Sequence, residues 1–183
     1  LKACFEDNEL DYSYLDLNNL HDAYLFDLVS ASLISSGYSK GYLLSKDGLV
    51  LPLGDNVISS YNVLGKEGPI AVLSSAGKSV FSQVSTFSFS LEDSYFSFIE
   101  SPQKEIISRN LYFNVHSGDI EDIVETAVVF SSNINIVEAR TLCLNVYGLK
   151  KKEDIQTYID SLATKGISLG VVYANGDGQY ITK

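Results

Sequence analysis

Gly41-Tyr42-Leu43-Leu44-Ser45-Lys46-Asp47-Gly48-Leu49-Val50-Leu51-Pro52-Leu53 is the stretch that decides the fold class. Two apolar runs flank Lys46-Asp47-Gly48. Asp-Gly in that setting is a hairpin turn, because glycine takes a positive φ at little steric cost. Pro52 has no amide donor, so the second strand is expected to lie at an edge or to end there. A hairpin this early in the chain points to antiparallel pairing.

Upstream, the spacing predicts a helix from about residue 18. Asn18 or Asn19 caps it, Asp22 suits its positive end, and Leu20, Tyr24, Leu28 and Ala31 recur at helical spacing up to Gly37. Residues 1–17 form an acidic segment, with Glu6, Asp7, Glu9, Asp11 and Asp16 among Tyr12, Tyr14 and Leu15. Downstream, glycines mark 54–68 as a loop. Pro69, Ile70, Leu73 and Val80 then predict a helix over 69–82, at a cost of about 1 kcal/mol for Gly77. Residues 85–99 alternate, with Phe87, Phe89 and Leu91 followed across Glu92-Asp93 by Tyr95, Phe96 and Phe98, which reads as a second hairpin.

The last third reads as strand 110–115, a helix near 120–131, strands Ile134–Ala139 and Thr141–Val146, a helix on Ile155, Tyr158 or Ile159 and Leu162, and strand 167–173. An internal repeat is visible: Leu111–Val115 precedes Glu121-Asp122-Ile123 as Leu142–Val146 precedes Glu153-Asp154-Ile155. The expected class is α+β, an antiparallel sheet flanked by helices with a C-terminal strand-helix-strand unit of ferredoxin-like order. The expected organisation is an N-terminal segment 1–17, an antiparallel α+β domain 18–109, and a βαββαβ-like unit 110–183 packed alone or on the same core.

Composition narrows the function classes. Thirteen Lys plus Arg against 23 Asp plus Glu give a formal charge of -10, the wrong sign for binding nucleic acid. No apolar run approaches the ~18 residues of a membrane span. Cys4 and Cys143 are the only cysteines, too few for a disulfide-dependent scaffold, and Cys143 reads as a buried thiol between Leu142 and Leu144. The absence of Met and of Asn-X-Ser/Thr sequons suggests a removed N-terminus and a cytoplasmic setting, with a processed viral or secreted fragment as a further reading.

From residue 18 to about 131 the order is helix, hairpin, helix, three strands, helix. Together with the phrase Asp47-Gly48-Leu49-Val50-Leu51, it resembles the opening of roadblock domains. Roadblock and the related longin and profilin-like scaffolds share a five-stranded antiparallel sheet. The resemblance implies a non-catalytic dimer that scaffolds or regulates small GTPases. No residue beyond the turn is carried over from it.

Chemistry-bearing motifs are sparse. Ala76-Gly77-Lys78-Ser79 mimics the end of a phosphate-binding loop, but Val72 stands where that loop needs its first glycine, so Lys78 reads as a solvated helix residue. Asn175-Gly176-Asp177-Gly178 lacks the leading Asp and closing Glu of a calcium loop and reads as a turn. His21 and His116 are the only imidazoles, and His21 reads as a first-turn helix residue. His116 before Ser117-Gly118-Asp119 gives His116 and Asp119 as the acid–base candidates. Asp119, Glu121, Asp122 and Glu125 fit a helix N-terminus better than a cation site, so no metal and no cofactor is expected. Lys150-Lys151-Lys152 reads as a solvated loop. Tyr12, Tyr14, Tyr61 and Tyr95 are the binding candidates, since amphipathic rings mark binding surfaces.

The leading expectation is a non-enzymatic protein-interaction module that docks a protein partner or itself through sheet edges, as a homo-oligomer. The alternative is an enzyme or small-ligand-binding protein with a site near His116 and Asp119.

Overall fold

The computed structural model describes residues 18–45, 48–57, 60–65, 68–74, 78–85, 99–100, 106–107, 123–173 and 178–179. The hairpin that opened the sequence reading is present. Strand β1 (Tyr42–Leu44) pairs antiparallel with β2 (Leu49–Pro52), and Gly48 has φ +80. Gly48 also sits against the next strand in the sheet. Its carbonyl accepts from the Gln83 amide at 2.8 Å, and a Cβ added there would lie 2.9 Å from that of Gln83. Pro52 ends β2, past the two residues that pair with the neighbouring strand.

Helix α1 (Asn18–Ser35) precedes this hairpin and stops at Gly37, whose φ of +89 suits a left-handed terminus. The expected loop 54–68 and helix 69–82 give way to two strand features. Strand β3 (Ser60–Gly65) pairs with β4 (Gly68–Ser74), and β5 (Val80–Ser85) follows. The apparent three-residue spacing of Ile70, Leu73 and Val80 was coincidental. Ala71 and Leu73 turn inward while Ile70 and Val72 stay exposed, which is period two. Lys78 is accordingly an exposed residue before β5, not part of a helix.

Two short strands, β6 (Ile99–Glu100) and β7 (Ile106–Ile107), pair with each other. The expected helix near 120–131 is strand β8 (Val124–Ser131), in keeping with its β-branched residues. The two strands expected over 134–146 are one helix, α2 (Ile136–Val146). Leu142–Val146, expected as the strand of the second repeat, is helical, and Leu111–Val115 lies outside the described residues. Helix α3 (Lys152–Ala163), with Ile155, Ile159 and Leu162 buried and Tyr158 half-buried, and strand β9 (Ser168–Tyr173) fall where expected. Strand β10 (Gly178–Gln179) pairs with β9.

Among the described residues the main sheet has six strands in the order β1-β2-β5-β8-β9-β10, all antiparallel. The α+β class with an antiparallel sheet and flanking helices is thus observed. Side chains sort the two faces of this sheet. Leu49, Leu51, Val80, Val84, Ala127, Val129, Leu169, Val171 and Tyr173 join the helices in the larger core. Val50, Phe81 and Val128 face the other way and pack with Val63 and Leu73 of the β3–β4 hairpin. A bulge between Val124 and Thr126 shifts the phase of β8, so Val124 shares the helical face with Ala127. The result is three layers: helices, sheet, hairpin.

Candidate functional site

Strand β5 is where the three layers meet. On its helical side, residues of α2 spaced three and four apart reach its main chain. Cys143 Sγ donates to the Ser82 carbonyl at 3.0 Å, an Arg140 guanidinium nitrogen donates to the Gln83 carbonyl at 2.6 Å, and Tyr147 Oη, just past the helix, donates to the Val84 carbonyl at 2.8 Å. Three consecutive carbonyls thus accept from one helical stripe. Arg140 is 7% exposed and Cys143 fully buried. Burial pushes the Cys143 thiol up to about 12, against the opposing pull of the Arg140 guanidinium, so the thiol stays protonated and unreactive. The neighbouring Ser82 hydroxyl is fully buried, with the Cys143 thiol as its polar neighbour and no oxygen or nitrogen partner among the described residues.

The hairpin side carries rings and amides. Tyr61 of β3 stacks on Phe81 with centroids 4.7 Å apart, and Phe81 stacks on Phe130 of β8 at 5.5 Å. Phe81 is fully buried, while Tyr61 and Phe130 at the two ends of the stack are half-buried. Beside the rings lies a polar row. The Gln83 amide clamps the backbone of Leu64, its Nε2 donating to the Leu64 carbonyl at 2.6 Å and its Oε1 accepting from the Leu64 amide at 3.2 Å. Gln83 Nε2 also donates to Ser85 Oγ, which bonds Thr126 Oγ1 at 3.0 Å. This clamp fixes the hairpin, and with it Tyr61, over the sheet. Burial pushes the Tyr61 phenol up to about 12, so it is a neutral hydrogen-bond donor across the physiological range.

Of the binding and acid–base candidates, Tyr61 is the one in the described region, and it joins this cluster; Cys143, expected as a buried thiol, is one. Tyr61 lies in a strand, not in the loop expected there. Tyr12, Tyr14, Tyr95, His116, Asp119, residues 86–98 of the expected second hairpin, strand 110–115 and Asn175, Gly176 and Asp177 fall outside the described residues. His21 is exposed, with Nδ1 3.1 Å from Asp22 Oδ1. Lys152 opens α3 with its ammonium 4.6 Å from the Tyr173 ring centroid, a cation–π contact. Among the described residues no group of three His, Cys, Asp or Glu could hold a metal, and no helix is long and apolar enough to cross a membrane. The Arg140–Cys143–Tyr147 stripe does not follow from strands over Ile134–Ala139 and Thr141–Val146, which would scatter these residues over two faces. The signal that identifies the helix was there: Asn135 caps it by accepting from the Glu138 amide at 2.8 Å, an Asn followed three residues later by Glu.

Solved structures share this architecture. The ApbE protein of Thermotoga maritima superposes with a TM-score of 0.69 over 91% of this chain and 50% of its own, at 12% identity. The fold is that of the ApbE proteins. The flavin transferase ApbE from Vibrio cholerae matches at 0.62 over 90% of this chain and 48% of its own, at 13% identity. The chain therefore spans about half the length of the ApbE structures it matches. No protein-family model matches the sequence, and no curated protein does. The ApbE likeness overturns the expected roadblock or longin relationship, whose single shared motif was an Asp-Gly hairpin turn common to many sheets. The non-enzymatic, GTPase-linked scaffold inferred from that relationship falls with it.

Proposed function

We propose that this chain is a flavin-handling unit that binds a flavin nucleotide as ligand or substrate of an enzyme of the ApbE type. The observation that supports the reading is the likeness to a flavin transferase across 90% of the chain. The residues in hand suit a flavin in one respect. A tricyclic ring is flat and aromatic, and Tyr61, Phe81 and Phe130 stack face to face in a column whose half-buried end rings, Tyr61 and Phe130, suit stacking by a further flat ring. Tyr61 adds a phenolic donor beside it. His116 and Asp119 remain the acid–base candidates belonging to this reading.

The test is a titration of FMN and of FAD with the protein, followed by flavin fluorescence and its polarisation. Stacking on a tyrosine quenches the flavin, so saturable quenching in the micromolar range is expected, weakened by Tyr61→Leu. Unchanged fluorescence and polarisation for both nucleotides at several hundred micromolar protein refutes the reading. If flavin binds, His116→Ala and Asp119→Asn tested for turnover with affinity unchanged assign the acid–base role.

A further inference from the structure

On its hairpin side strand β5 presents Phe81, Gln83 and Ser85 in alternation, and the hydrogen bonds along this row leave one donor over. The Gln83 carboxamide has one orientation, because its Oε1 accepts from the Leu64 amide and its Nε2 donates to the Leu64 carbonyl. The second hydrogen of Nε2 donates to Ser85 Oγ at 3.1 Å. Ser85 Oγ also lies 3.0 Å from Thr126 Oγ1, and neither hydroxyl has a further partner among the described residues. Two hydroxyl hydrogens serve the one bond between the pair, so one of them is idle. Burial decides which. Thr126 is fully buried, where an idle donor costs about 1–3 kcal/mol, whereas Ser85 is half-buried at the end of β5. Thr126 therefore donates to Ser85, and the Ser85 hydrogen turns outward. Both lone pairs of the Ser85 oxygen are then taken, so Ser85 donates outward and cannot accept. The two bonds it receives polarise the hydroxyl and strengthen it as a donor.

We propose that Ser85 is a specificity-determining donor that takes an acceptor oxygen of the flavin nucleotide, a phosphate oxygen or a ring carbonyl, and turns away a donor presented at the same place. The assignment rests on the flavin reading above. Ser85 lies roughly 13 Å along β5 from Phe81, at ~3.3 Å per residue, so a ligand stacked on the aromatic column reaches it with an edge or a chain, not with the middle of its ring. A flavin nucleotide carries acceptor oxygens at both such places, on the pyrimidine edge of the ring and on the phosphate at the end of the chain. The polar row is held by the same Gln83 that holds the hairpin, so the donor and the ring of Tyr61 are fixed in one frame.

The test is a titration of riboflavin and of FMN with the full chain and three variants, followed by flavin fluorescence and polarisation. Ser85→Asn and Ser85→Asp have the same shape, and in either a side-chain oxygen can accept from Gln83 and Thr126. Asn keeps an N–H to turn outward, whereas Asp presents only acceptor oxygens and a charge. Ser85→Asn is expected to bind FMN within about threefold of the parent, and Ser85→Asp about tenfold or more weakly, the size of one charge-assisted hydrogen bond. Ser85→Ala adds no charge and keeps the test in force should Asp unfold the chain; it is expected to weaken binding by about fivefold or more. Circular dichroism and melting temperature separate each loss of affinity from a loss of fold. A loss confined to FMN puts the phosphate at Ser85, and an equal loss for riboflavin puts the ring carbonyl there. Equal affinities for Ser85→Asn and Ser85→Asp, or parental affinity in Ser85→Ala, overturn the proposal while the flavin reading stands. A parent chain that binds neither flavin overturns both.

Discussion

Gln83→Met is the perturbation whose outcome the structure fixes most closely. Methionine matches glutamine in length and keeps the buried volume, so no cavity term enters. The loss is specific: the Leu64 carbonyl loses its donor at 2.6 Å, the Leu64 amide its acceptor at 3.2 Å, and Ser85 Oγ a donor. A buried group left unpaired costs about 1–3 kcal/mol. Leu64 is half-buried, so water reaches its backbone more readily than it reaches the fully buried Gln83, and the lower end applies. The sum is roughly 2 kcal/mol, which lowers the melting temperature of a chain this size by about 4–8 °C. The loss is also local. Amide exchange in β3 and β4 accelerates while β8 and β9 keep their protection, because the clamp ties only the hairpin to the sheet. Gln83→Glu sharpens the comparison. Its carboxylate presents two acceptors where a donor is needed, so it is worse than methionine at pH 7 and recovers as the buried acid is protonated. Urea unfolding at pH 5 and 7, with hydrogen exchange resolved to the hairpin, reads all of this. A destabilisation of Gln83→Met below about 0.5 kcal/mol with hairpin exchange unchanged would refute the reasoning.

Gly48→Ala combines a positive φ with a Cβ driven against Gln83, and is expected to destabilise by about 2 kcal/mol or more in denaturant titration. Ser82→Ala removes a buried hydroxyl whose polar neighbour is the weakly hydrogen-bonding Cys143 thiol, so the same titration is expected to show a change of no more than about 0.5 kcal/mol. Cys143 and Tyr61 keep their protons in the folded chain up to about pH 12, whereas unfolded Cys and Tyr lose theirs from about 9 and 10. The folded state then holds more protons, so stability falls as pH rises through that window, by up to about 1.4 kcal/mol per pH unit per group, and Cys143→Ala removes its share. In a Cys4→Ser background, Cys143 is expected to resist alkylation by iodoacetamide at pH 8 until denaturant unfolds the chain; rapid labelling of the native protein contradicts its placement.

The parts of the fold that were legible in the sequence are those where one local rule acts alone. The Asp47-Gly48 turn needed a positive φ and has it at Gly48, and α1, α3 and β9 announce themselves by clean periodicity. The misreadings occurred where two periods fit the same residues. Ile70, Leu73 and Val80 satisfy a helical spacing, yet Gly65 and Gly68 mark a hairpin turn between alternating strands. Acidic residues before Ile123 suggested a helix N-terminus, while Val124, Thr126, Val128 and Val129 favoured the strand that forms. For the site, the amphipathic ring of Tyr61 marks it as a candidate, but the column in which it stacks on Phe81, and Phe81 on Phe130, is assembled from three separate strands. No local pattern reports that. Gln83 and Arg140 went unread for the same reason, since their partners lie 19 and 57 residues away.

The helix α2 grips β5 by its carbonyls, and a carbonyl is present whatever residue is placed in the strand. Divergence can therefore rewrite the side chains of β5, within what its two faces will pack, without unfastening the helix. The burden of memory falls instead on Arg140, Cys143 and Tyr147, three donors of different reach. In a fold retained at 12–13% identity, a fastening indifferent to the sequence of one of its two parts is the kind that survives long drift.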